Sequence, residues 1–139
     1  MRSGVACLLV LLLAACGGSS PVRYMIGGQF KSSPPRACIL DGDAILVQDG
    51  AGIVIATTTL HITNRGETGG TCIGKASWSV QVPKTDTYRI VWEAGQPLKM
   101  YVESDLISYS KLQAQGFTLH LFVKAPPNIQ RAHLIEVLP

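Results

Sequence analysis

The chain has 139 residues, with 12 Lys and Arg against 9 Asp and Glu, a formal net charge of +3, and only 15% charged residues. So mild a positive balance, scattered along the chain, argues against a nucleic-acid partner. Its length suits one domain with a proper core, whose polar surface must come largely from Ser, Thr, Gln and Gly.

Met1-Arg2-Ser3 supplies a short basic start, and Val5 to Leu13 is uninterrupted apolar sequence before Ala14 and Ala15. A spanning helix needs about 20 apolar residues. This run is shorter and ends in Gly17-Gly18-Ser19-Ser20-Pro21, which is the layout of an export signal. Leu13-Ala14-Ala15-Cys16 resembles the lipobox of bacterial lipoproteins. The resemblance implies a thioether-linked diacylglycerol on the Cys16 thiol, cleavage before it, and a place on the extracytoplasmic face of the cell membrane. The alternative is an ordinary secretory signal with Cys16 incidental. Residues 1–15 then read as the lipoprotein signal peptide, 16–22 as lipidated cysteine and flexible tether, and 23–139 as a single β domain.

With Cys7 in the leader and Cys16 spoken for, Cys38 and Cys72 remain. In an exported chain two cysteines most simply form one disulfide, and closing a loop of this length is worth roughly 3–4 kcal/mol. Two free thiols are the other reading. The spacing fits no zinc pattern, and no metal or cofactor is expected.

Beyond the tether the hydrophobic pattern has period two. Tyr24 to Phe30 reads as a first strand, and Ser32-Ser33-Pro34-Pro35 as a break. Ala44 to Val47 is a brief apolar strand, joined through Asp49-Gly50-Ala51-Gly52 as a hairpin turn to a long one. In that long strand Val54, Ala56, Thr58, Leu60 and Ile62 share a face. Trp78, Val80 and Val82 alternate with Ser77, Ser79 and Gln81. Tyr88, Ile90 and Trp92 line one side of a shorter run, and Met100 and Val102 one side of the next. Asp105 to Gln115 reads as a loop with one helical turn, weakened by Ser108 and Ser110. Phe117, Leu119, Leu121 and Val123 share a face, Ala125-Pro126-Pro127-Asn128 is a further break, and His133 to Leu138 is a candidate last strand. Seven to eight short strands imply an all-β, antiparallel β-sandwich, with a small barrel as the runner-up. Trp78, Val80, Val82, Leu119 and Leu121 are expected in one core.

Asp41-Gly42, Ile45-Leu46-Val47, Asp49, Gly52, Ile53-Val54-Ile55-Ala56-Thr57 and Leu60 lead to Cys72, Val82-Pro83 and Tyr88-Arg89-Ile90. Ser108-Tyr109-Ser110, Leu112, Gly116-Phe117 and Leu119 follow. This spacing, over about 85 residues, resembles a type of small exported actinobacterial domain, often lipid-anchored, whose function is not assigned. The resemblance implies a disulfide between Cys38 and Cys72 across a sandwich, and brings no catalytic residues. The Val82-Pro83 to Tyr88-Arg89-Ile90 stretch also looks like the edge of transthyretin-like and collagen-adhesin sandwiches, so the fold expected is immunoglobulin- or transthyretin-like. The polar Asn64–Gly70 loop and the strand-like tail Ala132 to Leu138 depart from the pattern.

Residues that could carry chemistry all have plainer readings. By the alternation His61 and His120 point away from the core; neither they nor His133 belongs to a metal or catalytic motif. Asp41-Gly42-Asp43 with Asp49 offers three carboxylates, where calcium needs six or more oxygens, so turn bonding to the backbone is expected. Trp78 and Trp92 fall on apolar faces and are expected to pack; Tyr101, on a polar phase, is the candidate exposed aromatic. The expectation is a non-catalytic binding or scaffold module at the envelope, with an envelope protein as partner. A protein inhibitor acting through the exposed Asn64–Gly70 loop is the second reading, and an enzyme with an unfamiliar site the third.

Overall fold

The computed structural model describes residues 20–32, 39–64, 75–94, 100–124 and 133–136, with backbone alone for Asn64, Lys124 and 133–136. Ten strands and one short helix are present among these residues, more than the seven to eight strands expected, because the run from Val54 to Ile62 divides into two and Ile107–Ser108 adds a short one. β1 (Arg23–Ser32), β4 (His61–Asn64), β5 (Lys75–Pro83), β9 (Leu121–Lys124) and β10 (His133–Glu136) form one sheet in the order β10-β9-β1-β5-β4. β2 (Ala44–Asp49), β3 (Val54–Thr59), β6 (Thr87–Ala94) and β7 (Met100–Glu103) form the other in the order β3-β2-β6-β7, with β8 (Ile107–Ser108) also paired to β6. All pairings are antiparallel except β1 with β9, which run parallel.

The two sheets share one core. Ile26, Phe30, Trp78, Val82, Leu121 and Val123 enter it from the first sheet, and Ile45, Val47, Ile90, Trp92 and Val102 from the second. The rings of Phe30 and Trp92 meet edge to face across the gap, with centroids 5.3 Å apart, a geometry favoured by the ring quadrupoles. Leu119 also lies in this core, while Val80 is partly buried against it. The alternation in β5 and β6 therefore reports the buried face correctly, and the all-β expectation holds.

Three stretches differ from their sequence reading. The run from Val54 to Ile62 is not one strand: at Leu60 the chain leaves β3, paired with β2, and continues as β4, paired with β5 in the other sheet. The run from Phe117 to Val123 forms a strand only from Leu121: Gly116 (φ 61°) and Phe117 (φ 59°) are left-handed, and Thr118 makes only an isolated bridge to Gly27. Asp105 to Gln115 holds a helix, α1 (Tyr109–Ala114). Ser108 caps it by accepting from Lys111 N–H at 3.2 Å, the serine thus favouring the helix as a cap rather than opposing it from within.

β1 is squeezed from both sides. A Cβ on Gly27 would stand 2.3 Å from the Trp78 carbonyl oxygen, and one on Gly28 2.4 Å from that of Leu119. Only hydrogen fits in either place. The space is used by backbone: Leu119 N–H donates to Gly27 O at 2.8 Å, and Gly27 N–H to Phe117 O at 3.3 Å.

Of the three described crossings between the sheets, the one from β8 to β9 runs through α1, and the other two are held by buried polar groups. At the first, Leu60 is fully buried, donates its N–H to Asp43 O at 2.8 Å and accepts from Gly42 N–H at 3.0 Å. The side chain of Asp43, also buried, accepts from Leu40 N–H at 2.9 Å and from Trp92 Nε1–H at 3.1 Å through the same Oδ2. At the second, Tyr88 Oη accepts from Thr85 N–H and donates to Pro83 O, both at 3.0 Å.

Asp43→Ala leaves two donors without their acceptor. A buried group left unsatisfied costs roughly 1–3 kcal/mol; with the Trp92 bond buried and the Leu40 bond partly so, the expected loss is about 2–4 kcal/mol in denaturant unfolding. Asp43→Asn keeps an acceptor oxygen and is expected to lose less.

Candidate functional site

The aspartates singled out in the sequence are engaged with backbone. Asp49 Oδ1 accepts from Ala51 N–H and Ile53 N–H at 2.9 Å each, closing the β2–β3 turn in which Gly52 takes φ 82°. Asp41 Oδ1 accepts from Ile62 N–H at 3.2 Å, and Asp43 is the crossing group described above. These carboxyl groups organise turns rather than converge on a common point.

The histidines are not brought together. His61 is exposed on β4. His120 Nδ1 accepts from Gln29 N–H at 3.1 Å, which fixes this ring nitrogen as the acceptor. His133 opens β10. Trp92 is fully buried and Trp78 nearly so, both in the core as expected. The Trp78 Nε1–H is buried without a hydrogen-bond partner among the described residues. Tyr101 is 57% exposed on β7, as its phase predicts. Cys16, Cys38 and Cys72 lie outside the described residues, as does the loop beyond Asn64.

The sequence did not point to one cluster that the fold creates. Tyr24 on β1, Tyr109 on α1 and Phe117 after α1 meet where β1 begins. Tyr24 stacks on Phe117 with centroids 5.0 Å apart and meets Tyr109 edge to face at 5.4 Å. Lys84 Nζ sits 4.6 Å from the centre of the Tyr109 ring, a cation–π arrangement. Phe117 holds a backbone conformation that is costly for a bulky residue. Stacking on Tyr24 and the hydrogen bonds of Gly116 N–H to Gln113 O (3.0 Å) and Phe117 N–H to Leu112 O (2.8 Å) offset that cost. Tyr24 was legible, since it shares a phase with Ile26 and Phe30. Tyr109 was not, because Asp105 to Gln115 has no clear period.

Among the described residues, no group of three or more His, Cys, Asp or Glu could hold a metal ion. A hydrogen bond with Tyr24, then burial, then the proximity of Tyr24 and Tyr88, push Tyr109 from 10.0 up to about 12. The phenol is neutral at physiological pH. In comparisons with known proteins, no family model, no curated protein and no solved structure matches the chain.

A raised phenol pKa stabilises the fold fully below the ordinary value of 10.0, and this contribution is lost as pH rises through about 12. Ultraviolet titration of the 4 tyrosines is expected to show one ionising near 12. Tyr24→Phe removes the hydrogen bond and should bring that transition down; an unchanged titration would refute the pairing.

Proposed function

We propose that the chain is a lipid-anchored cell-envelope protein on the extracytoplasmic face of the membrane. Its β domain is a non-catalytic binding or scaffold module. The observation that carries this reading is Leu13-Ala14-Ala15-Cys16 directly after an apolar run, with β1 opening only seven residues further on, at Arg23. Residues 16–22 are then a short tether, and 23–139 the presented domain. One acyl chain holds a protein marginally, whereas the two of a diacylglycerol hold it stably.

The presentation is directional. β1 starts at the tether. Ser32, Asn64, Ala94 and Lys124 close β1, β4, β6 and β9 at the opposite end, as the registers require. Four described strands thus end on the side farthest from the anchor. The histidines and aspartates, each with a plainer place in the fold, favour binding over catalysis.

Within this reading the sheets form a largely antiparallel sandwich of immunoglobulin or transthyretin type, stapled by a Cys38–Cys72 disulfide. Support comes from position. Cys38 precedes Ile39, which is fully buried, and Cys72 lies three residues before Lys75, where β5 begins at that same far end. An exported chain keeps such a bond oxidised.

Mass spectrometry of the protein recovered from bacterial membranes tests the anchor. The expected product begins at Cys16 and carries diacylglycerol, and Cys16→Ser is expected to retain residues 1–15 without lipid. A product cut elsewhere, with an unmodified Cys16, would overturn the reading. Alkylation without reduction should leave Cys38 and Cys72 unlabelled, and replacing both with Ala should cost about 2–5 kcal/mol. Two alkylated cysteines in the oxidised, folded protein would rule out the bridge.

A further inference from the structure

We infer that the tether end of the domain is a membrane seat, which rests directly on the bilayer that holds the anchor. The inference depends on the lipidation of Cys16 proposed above and adds a second contact with the same bilayer.

The exposed apolar residues are distributed unevenly. Of the seven large hydrophobic side chains that are exposed among the described residues, Val22, Met25, Ile53, Val54 and Leu106 lie towards the tether end, and only Leu40 and Tyr101 at the other. The registers fix this. Arg23 pairs with Pro83, the Lys84–Asp86 turn runs from there to Thr87, and Asp49 pairs with Tyr88. The Asp49–Ile53 turn therefore lies beside the start of β1, although the two belong to different sheets. A Cβ on Gly50 would stand 2.5 Å from Thr87 Oγ1, so the turn is held against β6. Ile53, 63% exposed, is fixed there by its bonds with Asp49. Leu106 directly precedes β8, whose Ile107 pairs with Tyr88. Isolated exposed aliphatic residues need no explanation, but five of the seven at one end, spread over both sheets, give that end an apolar rim.

The tether identifies the occupant. Cys16 and Arg23 are seven residues apart, and a fully extended chain covers at most about 3.3–3.6 Å per residue. This end therefore cannot stand more than about 25 Å from the acyl-bearing cysteine, and of all surfaces the bilayer is the one it meets continuously. Tyr24 and Tyr109 add amphipathic rings of the kind enriched at membrane–water interfaces. The cations here, Arg23, Lys84 and Lys111, are matched in number by Asp49, Asp86 and Asp105. The attraction is therefore apolar rather than electrostatic, and neutral lipid suffices.

The test uses the lipidated protein in phosphatidylcholine vesicles containing brominated acyl chains. Ile53→Trp and, separately, Leu106→Trp place an indole at exposed positions of the seat, against the buried native Trp78 and Trp92. Tyr101→Trp places one at the far end. Both seat indoles are expected to lose emission to the bromines and shift to the blue, with little effect of added salt, while the indole at position 101 keeps its emission. Vesicle-bound protein with unquenched seat indoles would overturn the seat and leave the anchor standing. A blue shift without quenching would overturn it too, by showing that a protein surface, such as a second copy, covers this end. Protein that lacks diacylglycerol and fails to float with the vesicles would overturn the anchor and the seat together.

Discussion

The constraint on which the rest of this fold depends is the satisfaction of backbone polar groups where the chain changes sheets. At Leu60 the chain leaves β3 and enters β4 in a fully buried position, where an unpaired N–H or C=O would be expensive. Asp43 resolves this from two directions. Its carbonyl takes the Leu60 N–H, and its side chain ties Leu40 N–H to the Trp92 indole of β6, the strand paired with β2. The same residue thus fixes the corner, the turn before β2 and the rotamer of the largest core side chain. Trp92, so held, meets Phe30 of the other sheet edge to face. A buried acidic residue is costly unless it is paired; here it is what allows a short chain to build two sheets with a continuous polypeptide corner.

Much of this was legible in the sequence, and the misread strand pairings share a single cause. Alternation reports which face of a segment is buried. It does not report which strand the segment pairs with. Trp78 and Val82 in β5, and Tyr88, Ile90 and Trp92 in β6, were assigned to the core by parity alone. Leu60 and Ile62 keep the parity of Val54 and Ala56, so the pattern runs on unbroken through a corner where the hydrogen-bonding partner changes from β2 to β5. The parallel pairing of β1 with β9 was hidden for the same reason. The left-handed Phe117 was hidden too, since an aromatic residue ordinarily avoids that conformation and only its tertiary stacking on Tyr24 makes it tolerable.

The candidate site was legible in its covalent part and not in its spatial part. Leu13-Ala14-Ala15-Cys16 is a local motif and can be read from four consecutive residues. The gathering of Tyr24, Tyr109 and Phe117, and of Val22, Ile53 and Leu106, depends on registers between strands far apart in sequence. Gly27 and Gly28 sit between these two kinds of information. A glycine inside a strand ordinarily weakens it, and the purpose of these two is clear only once β5 and the segment through Leu119 close on them.

The position of β1 also has a mechanical consequence. It is an interior strand, hydrogen-bonded along its length to β5 and over its last residues to β9, and it runs away from the end at which the chain enters. A pull on residue 20 against a load at the far end therefore acts along the strand axis. The bonds between β1 and β5 are sheared together instead of being peeled one after another, and the glycine-tight fit at Gly27 and Gly28 resists sliding of the strand past its neighbours. A domain built this way yields last at the strand through which force enters.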